Sequence, residues 1–569
     1  MNNQYPFWDF LKQITEGETG TSQAGYPIIE EKSFQIFLDK IPHLFQNGLV
    51  LQNILATIKS EKGLEESPKR ALKVLATVIN TAAVTAPSDL WLLKQIVSTF
   101  KSLGIENDIL KKKWFTPAQL AKSSKLNCEQ LVFDLDFIYS RGYLEKKNGE
   151  YKLSGIPQAT ELFEDLEVIP ESHPRNMIPS IVEYLSGKDD SKELLEEFFV
   201  FKSSPKAHPS WVAGIYEIAV GYRLVPLVLS LRFLELTTKL TLGVGILGIV
   251  PRLNAEMTSV LFLAGAVDDA GKITSLGARI FARGPGPFGI IHAYHGYLLH
   301  HRQLLEGKKE DIWVARGENV AASQDANSKT FAMINDKLDD FSKKYQFDFD
   351  VYIEHAVGQG EATRQRYQRD PEKECRYFGA DLEDSAIDKA MEEQKKGNLP
   401  VEMKFIRQAD IGAPDILIDG VKKNQANPFG AVMVVGNGFH EVRNQTNEKM
   451  IEVFKGYCEA GILIIFTEES GLSDEDLLFT GWNTYHAGFR YCHEISGQGL
   501  RPAYDSEESS GARFSWRKCA ELGGYRVLKE FTSRTRTIYP HPRKDGYNPA
   551  ISVNYFCLPQ KLAEKFKIS

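Results

Sequence analysis

The six cysteines of this 569-residue chain are scattered at positions 128, 375, 458, 492, 519 and 557, and no two form a C-x-x-C pair. That excludes a disulfide framework and a structural zinc ribbon, and reads as reduced thiols in a cytoplasmic protein. A basic excess is also missing. The net charge is −7, against the basic face expected of a nucleic-acid binder. The N-terminal Met1-Asn-Asn-Gln-Tyr-Pro-Phe-Trp8 has neither the basic n-region nor the apolar h-region of a signal peptide. The greasiest stretch, Trp211–Leu253, is interrupted by Glu217, Arg223, Arg232, Glu235, Lys239 and Arg252. Its uncharged runs fall short of the ~20 residues of a membrane span, so it reads as buried core helices. The one strand–turn–helix opening of nucleotide-site type, residues 351–367, does not read G-x-G-x-x-G, the dinucleotide fingerprint, either. What remains is an ordinary globular composition, 43% hydrophobic and 25% charged, long enough for roughly three or four domains.

The most informative stretch is Val351-Tyr-Ile-Glu-His-Ala-Val-Gly-Gln-Gly360. A β-branched and aromatic run ends in an acid, passes a small-residue turn, and enters the helix-forming Glu361-Ala-Thr-Arg-Gln-Arg-Tyr367. This is the strand–turn–helix opening of a nucleotide site, where the turn admits a ligand to the backbone and the helix offers unsatisfied N–H groups. Its spacing, Glu354, Ala356, Gly358, Gly360, is E-x-[small]-x-G-x-G. It resembles motif I of the class I methyltransferases that bind S-adenosylmethionine, with Ala356 in place of the first glycine.

Residues 1–205 are mostly helical in pattern, with apolar positions at helical spacing in Phe34–Ile41 and Leu90–Val97. Thr116 as N-cap with Pro117 at N1 opens one helix, and Glu129–Ser140 forms a second. Two short strands around an Asn148-Gly149 turn follow, so that about 113–155 reads as a winged-helix-like segment. Such a segment reads DNA or serves as a dimerisation or lid module. Glu129–Ser140 carries two Asp, one Glu and no Lys or Arg, which speaks against DNA. Residues 206–345 form a helical lid and linker: a helix Asn254–Leu263, a second wing-like pattern, a break at Gly284-Pro-Gly-Pro287, and a helix Phe288–Leu305. His292 and His295 share a face of that helix and line a substrate cavity or cap core contacts, a metal pair being the other reading. In the polar link Trp313–Ser328, Arg316 and Asn319 are candidates for the carboxylate of a ligand, or members of a plain connector.

From Phe347 to residue 569 the pattern becomes an α/β core. Strands at about 350–354, 376–380, 403–407, 431–436 and 461–467 alternate with helices at about 360–368, 384–395, 446–459 and 473–496. The strand-like Tyr525–Thr532 and Ile551–Cys557 flank an Asp545-Gly546 turn and close the sheet antiparallel. The expected fold class is a class I methyltransferase, Rossmann-like, C-terminal domain behind a mostly helical N-terminal lid. Ligands of such sheets sit at the strand carboxyl ends. There Arg376-Tyr-Phe-Gly-Ala-Asp381 ends in an acid for the ribose hydroxyls, and Lys404-Phe-Ile-Arg-Gln-Ala-Asp410 in one for the adenine amino group. With Glu354, Ala356, Gly358, Gly360, Asn437 and Arg316 they make the expected S-adenosylmethionine site.

The fourth strand runs into Gly436-Asn-Gly-Phe-His-Glu441, placing His440 on the catalytic side. Further on, His486, Arg490 and His493 fall on one helix face, at offsets of four and seven. Two chemistries fit. His440 is a general base oriented by Glu441, acting on a hydroxyl or amine of a small metabolite. Alternatively His440, His493 and an oxygen such as that of Gln498 hold a divalent metal, iron or manganese, as a Lewis acid for a 1,3-dicarbonyl.

Residues from about 200 onward resemble the metal-dependent C-methyltransferases of polyketide loading modules, of the apratoxin starter-unit type. The matching stretches are Arg316-Gly-Glu-Asn-Val320, Glu354–Gly360, Gly436-Asn-Gly-Phe-His-Glu441 and His493-Glu-Ile-Ser-Gly-Gln498. The resemblance implies mononuclear iron and methylation of a malonyl group on an acyl carrier protein, ahead of a GNAT-like decarboxylase. It points to His440, His493 and Gln498 as metal ligands, with His486 in reserve. No GNAT-like or carrier segment follows Ser569, so the chain is expected to be an excised domain or a free-standing relative.

Overall fold

A computed structural model describes residues 19–21, 27–29, 66–111, 113–200, 212–308, 316–443, 445–474, 477–478, 485–502, 513–537 and 550–568. These residues form two compact units. The first takes the described residues up to 308 together with 474, 477–478 and 485–495, and the second takes those of 316–473, 496–537 and 550–568. The segment carrying His486, Arg490 and His493 therefore groups with the N-terminal unit rather than with the C-terminal core, while 316–345 joins the core. The expected helix at Phe34–Ile41, the Asp545-Gly546 turn and the side chains of Arg316 and Asn319 lie outside the described residues.

The strands are β1 (Thr19–Thr21), β2 (Pro27–Ile29), β3 (Leu144–Lys147), β4 (Glu150–Leu153), β5 (Val351–His355), β6 (Arg376–Ala380), β7 (Lys404–Ile406), β8 (Val432–Gly436), β9 (Leu463–Glu469), β10 (Tyr525–Val527), β11 (Ser533–Thr537) and β12 (Ala550–Pro559).

In the first unit the long helix Glu66–Leu103 packs on Ile215–Phe233. They meet closely because Gly221 has no side chain: a Cβ there would lie 2.7 Å from Leu90 Cβ. Thr116 caps the helix Pro117–Ser124 as expected, and Gln119 completes a capping box that the sequence reading did not mark. The helix Cys128–Ser140 follows, then the antiparallel hairpin β3–β4, turned by Asn148 and Gly149 at φ 52° and 76°. These positive angles are why Asn-Gly suits the turn. The expected helix Phe288–Leu305 is three pieces, Pro285–His292, His295–Leu299 and His301–Leu305. The proline pair does not separate helices by a loop. Pro285 takes the first turn of its helix, where its missing N–H costs nothing.

The second unit is built on one sheet in the order β10-β12-β9-β8-β5-β6-β7, with β11 also pairing β12. The pairs from β7 to β9 are parallel, and β12 runs antiparallel to β9, β10 and β11. Odd residues of β5 (Val351, Ile353) face a core with Met433, Val435, Tyr457 and Trp516. Even-numbered Tyr352 faces another core with Phe341, Val434 and Phe556. Burial on both faces is what makes these strands continuous apolar runs. A helix Pro414–Lys423, not marked by the sequence pattern, follows β7, and within 473–496 the described helix is His486–Ile495. The order of the sheet reverses between β5 and β8, so the crevice past their carboxyl ends is where ligands of such sheets bind.

Candidate active site

β5 stops at a turn in which Ala356, Gly358 and Gly360 take φ of 56°, 52° and 80°. The alternation of small residues in the motif is thus a conformational requirement. A residue with a Cβ pays roughly 1–2 kcal/mol in the left-handed region, and glycine does not. Ala356 accepts that strain. At Gly360 a Cβ would lie 2.8 Å from both Leu399 methyl carbons. His355 supports the strained residue from inside the core, its Nδ1 accepting from Ala356 N at 2.9 Å. Burial pushes His355 down to about 3, which keeps the ring neutral and able to accept.

Glu354 has a different role from the one its position suggests. Its carboxylate oxygens accept from Ala362 N (3.1 Å) and Thr363 N (2.8 Å), capping the helix Glu361–Arg369. Burial lifts it to about 7 against these hydrogen bonds. With both oxygens on the helix, Glu354 positions the turn.

Asp381, just past β6, lies across from the turn. Its Oδ2 accepts from Gly358 N at a long 3.4 Å and its Oδ1 from Glu383 N at 3.0 Å. Burial raises its pKa, these amides oppose the rise, and the Glu441 and Glu383 carboxylates add to it. A carboxylate has about four acceptor sites, so two amides leave room for hydroxyl donors. Asp410 is exposed and accepts from Gly412 N at 2.7 Å. Its loop is held by Tyr457 Oη donating to Ile411 O (3.1 Å) and Lys449 Nζ donating to Gly412 O (3.1 Å). The backbone ties the two acid-bearing ends together, with Ala409 N donating to Asp381 O at 2.9 Å.

After β8, Asn437 turns the chain at φ 55° and Phe439–Glu441 form a single 3-10 turn. Gly438 is pinned there, since a Cβ would meet Val435 at 2.7 Å and Ala356 Cβ at 3.4 Å. The loops after β5 and β8 therefore touch, and Asn437, Ala356, Gly358 and Asp381 gather at one end of the sheet.

His440 was expected to be oriented by Glu441. Glu468 does this instead. It is fully buried in β9, accepts from Phe439 N (2.6 Å) and His440 N (3.1 Å), and lies 2.8 Å from His440 Nδ1. Glu441 stands on the other side of the ring, 3.6 Å from Nε2. Burial would push His440 down, but the two carboxylates outweigh it and hold it up at about 10. Gln445 donates to the carbonyls of Phe439, His440 and Val442, and accepts from buried Arg501 Nε at 3.0 Å. Arg501 also donates to Asn447 Oδ1, Thr446 O and Phe514 O. Sequence reasoning missed Glu468, Gln445 and Arg501. Glu468 was open to the rule that found Asp381, an apolar strand ending in acids, because Gly436 pairs with Thr467 and sets Glu468 beside the loop.

Of the expected metal ligands, His440 and Gln498 lie in the second unit and His493 in the first. With Nδ1 on Glu468 and Nε2 facing Glu441, His440 has the usual carboxylate–histidine arrangement of a ligand, and a metal at Nε2 would have to displace or share the Glu441 carboxylate. Gln498 is buried, its Nε2 3.0 Å from Glu441 Oε2 and its Oε1 accepting from Ser496 Oγ. Oriented so, it offers nitrogen towards Glu441; a metal needs the amide turned over. The donors fit a metal in part. Among the described residues no group of three or more His, Cys, Asp and Glu is arranged to hold one.

In the first unit, His493 Nδ1 lies 2.6 Å from Phe489 O, and its ring packs on Phe489 at 4.2 Å. His486 stacks on Tyr485 at 4.9 Å. Arg490 is engaged by Asp474 at 2.6 Å, with Asp136 at 4.0 Å. His292 packs on Trp91 and His295, and burial pushes it down to about 3. Among the described residues no helix is long and apolar enough to cross a membrane.

The sheet order, with antiparallel β12 between β9 and β10, is the class I methyltransferase, Rossmann-like fold. No protein-family profile matches the chain, and no curated protein matches it in sequence. Several solved structures align over most of it. One is the CurJ carbon methyltransferase, at 11% identity and TM-score 0.34, covering 90% of this chain and 99% of that one. An O-methyltransferase family 2 protein from Planctomyces limnophilus, in complex with apigenin, gives 11%, 0.32, 83% and 95%. Human N-acetylserotonin methyltransferase in complex with SAM gives 11%, 0.27, 88% and 99%. At these scores the likeness assigns no residue.

Proposed function

We propose that this chain is an S-adenosylmethionine-dependent methyltransferase. The observation that carries the reading is the joining of Asp381 to Gly358 N between the carboxyl ends of β5 and β6, next to the topological switch point and beside three alternate residues in the left-handed conformation. Ala356, Gly358 and Gly360 bring bare backbone to the ligand. Asp381 accepts from the ribose hydroxyls, and Asp410 and Asn437 stand on the flanking loops. Glu354 acts through the helix it caps. Bound there, S-adenosylmethionine supplies an electrophilic methyl group on a positive sulfur.

For the acceptor we propose the α carbon of a malonyl-type thioester on an acyl carrier protein, in polyketide assembly beside partners such as a GNAT-like decarboxylase. The support is the resemblance of the Arg316, Glu354–Gly360, Gly436–Glu441 and His493–Gln498 stretches to loading-module C-methyltransferases. His440, His493 and Gln498 would hold iron or manganese, and the metal would supply Lewis acidity towards a dicarbonyl. Glu468 fixes which nitrogen His440 presents. The helix–helix–hairpin of Pro117–Leu153 we read as a winged-helix-like lid or dimerisation module.

A second reading, O- or N-methyl transfer to a small metabolite without metal, is favoured by one observation. Glu441 lies at His440 Nε2 and Gln498 turns its amide nitrogen to that same carboxylate. Held up at about 10, His440 is protonated at neutral pH and is not the free base expected from the sequence; in this reading Glu441 takes the acceptor's proton beside that ring, with Glu468 keeping the ring in place. Mass spectrometry of malonyl-loaded carrier protein, after incubation with S-adenosylmethionine and iron, tests the first reading. It expects a carbon-bound methyl that is lost on stringent chelation. An unmethylated carrier overturns that acceptor, and activity that survives chelation overturns the metal.

A further inference from the structure

The winged-helix-like module of the first unit has a second helix that is already occupied. In helix-turn-helix proteins that helix, here Cys128–Ser140, is the one that enters a nucleic-acid groove. Its Asp134 and Asp136 meet instead a segment of the same chain, the helix His486–Ile495. That helix lies between β9 and β10 in sequence and groups with the first unit.

Two kinds of contact make this joint. The outer one is a ring of alternating charge. Lys146 Nζ of β3 lies 2.6 Å from both Asp136 Oδ1 and Asp474 Oδ2, and Arg490 Nη1 lies 2.6 Å from Asp474 Oδ1. Arg490 Nη2 closes the ring 4.0 Å from Asp136 Oδ2, and Tyr151 of β4 donates to Asp136 Oδ1 at 2.6 Å. The four charged side chains are only 16% to 30% exposed, so salt screens them less than it would a surface pair. The inner contact is fully buried. Asp134 accepts from Tyr491 Oη (2.8 Å), His301 Nε2 (2.9 Å) and Gln130 Nε2 (3.0 Å), and the Tyr491 ring packs on Phe137 at 5.3 Å. A turn earlier, buried Asp89 accepts from Gly488 N at 3.1 Å, in a space that a Cβ on residue 488 would fill. Gly488, Arg490 and Tyr491 are thus each held by a carboxylate.

The same helix leads directly into the loop that bears His440. Ile495-Ser-Gly-Gln498 carries the chain from the first unit into the second. There Gln498 Nε2 donates to Glu441 Oε2 at 3.0 Å, and Gly499 N donates to His440 O at 3.3 Å. We propose that the winged-helix-like module is a clasp for the helix His486–Ile495, and that this clasp positions the Phe439–Glu441 turn through Gln498 and Gly499. Asp136, Lys146 and Tyr491 are then positioning residues. The bearing of the clasp on methyl transfer rests on the function proposed above, while the clasp itself rests on these contacts.

The test follows two probes in the full chain. Cys492 is fully buried in the clasped helix, so its alkylation by iodoacetamide, read by peptide mass spectrometry, reports local release. Hydrogen exchange of the Gly499 amide reports the loop. Lys146→Met should raise both rates about tenfold or more, as the loss of a charged hydrogen bond predicts, and Tyr491→Phe about fivefold or more. Lys146→Arg, which keeps the charge, should change neither. Lys152→Met, which breaks the Glu145 pair on the same hairpin, should also change neither. Cys458, Cys519 and Cys557, buried in the second unit, should stay unlabelled, which separates release from global unfolding. Equal labelling of Cys492 in Lys146→Met and wild type overturns the clasp, and a freed Cys492 with Gly499 still protected overturns the positioning. Neither probe needs cofactor or acceptor, so a failed clasp is distinguishable from a failed methyltransferase reading, which S-adenosylmethionine binding tests.

Discussion

Glu468 Oε2 lies 2.8 Å from His440 Nδ1, and the other oxygen of the same carboxylate accepts from the Phe439 and His440 amides. One buried side chain therefore sets both the ring and the backbone of the loop after β8. Glu468→Gln keeps the shape but removes the charge. We expect the His440 pKa to fall from about 10 and turnover to drop at least tenfold, with the cofactor Kd little changed. An NMR titration of the His440 ring checks this. An unchanged pKa would show that Glu441 alone holds the proton.

The same pair predicts a pH dependence of stability. His440 is raised from about 6.5 in the unfolded chain to about 10 in the fold. Its contribution is therefore complete below about pH 6.5 and is lost as pH rises through about 10. Urea unfolding of wild type and His440→Gln from pH 6 to 11 measures the difference. It should shrink towards high pH, and a constant difference would contradict the assignment.

Ala356 is strained where glycine is not. Ala356→Gly should stabilise the protein by about 0.5–1 kcal/mol, the left-handed cost being partly offset by glycine's greater freedom when unfolded. Ala356→Val should lose at least as much. Denaturant midpoints decide, and a destabilised Ala356→Gly would show that the methyl group packs usefully.

Arg501 is fully buried and joins Gln445, Asn447, Thr446 and Phe514 by hydrogen bonds. Arg501→Leu leaves these acceptors unpaired and should cost about 3 kcal/mol or more. As Gln445 holds the Phe439–Val442 carbonyls, kcat should fall more than KM rises in whatever protein survives. Equal changes would reduce Arg501 to a structural role.

How much of this was legible follows from what each signal depends on. Strands β5, β6, β8 and β9 are buried on both faces, so their apolar runs announced them. The motif I turn was legible because three alternate residues must adopt positive φ. The Pro414–Lys423 helix was obscure because its apolar face, Leu417, Ile418 and Val421, is short. The helix His486–Ile495 lies between β9 and β10 in sequence but groups with the N-terminal unit, and no local pattern encodes that. Glu354 and Glu468 look alike in sequence, each an acid at a strand's end. Only the register of neighbouring strands shows that one caps a helix and the other holds a histidine.

Asp381 at Gly358 remains the centre of the account, and calorimetric titration of S-adenosylmethionine into wild type and Asp381→Ala tests it most directly. The wild type should bind one molecule per chain. Asp381→Ala, with an unchanged circular dichroism spectrum, should bind about 10–100-fold more weakly, the loss of charged hydrogen bonds worth about 1.5–3 kcal/mol. A wild type that does not bind S-adenosylmethionine, or an Asp381→Ala variant of undiminished affinity, would contradict it.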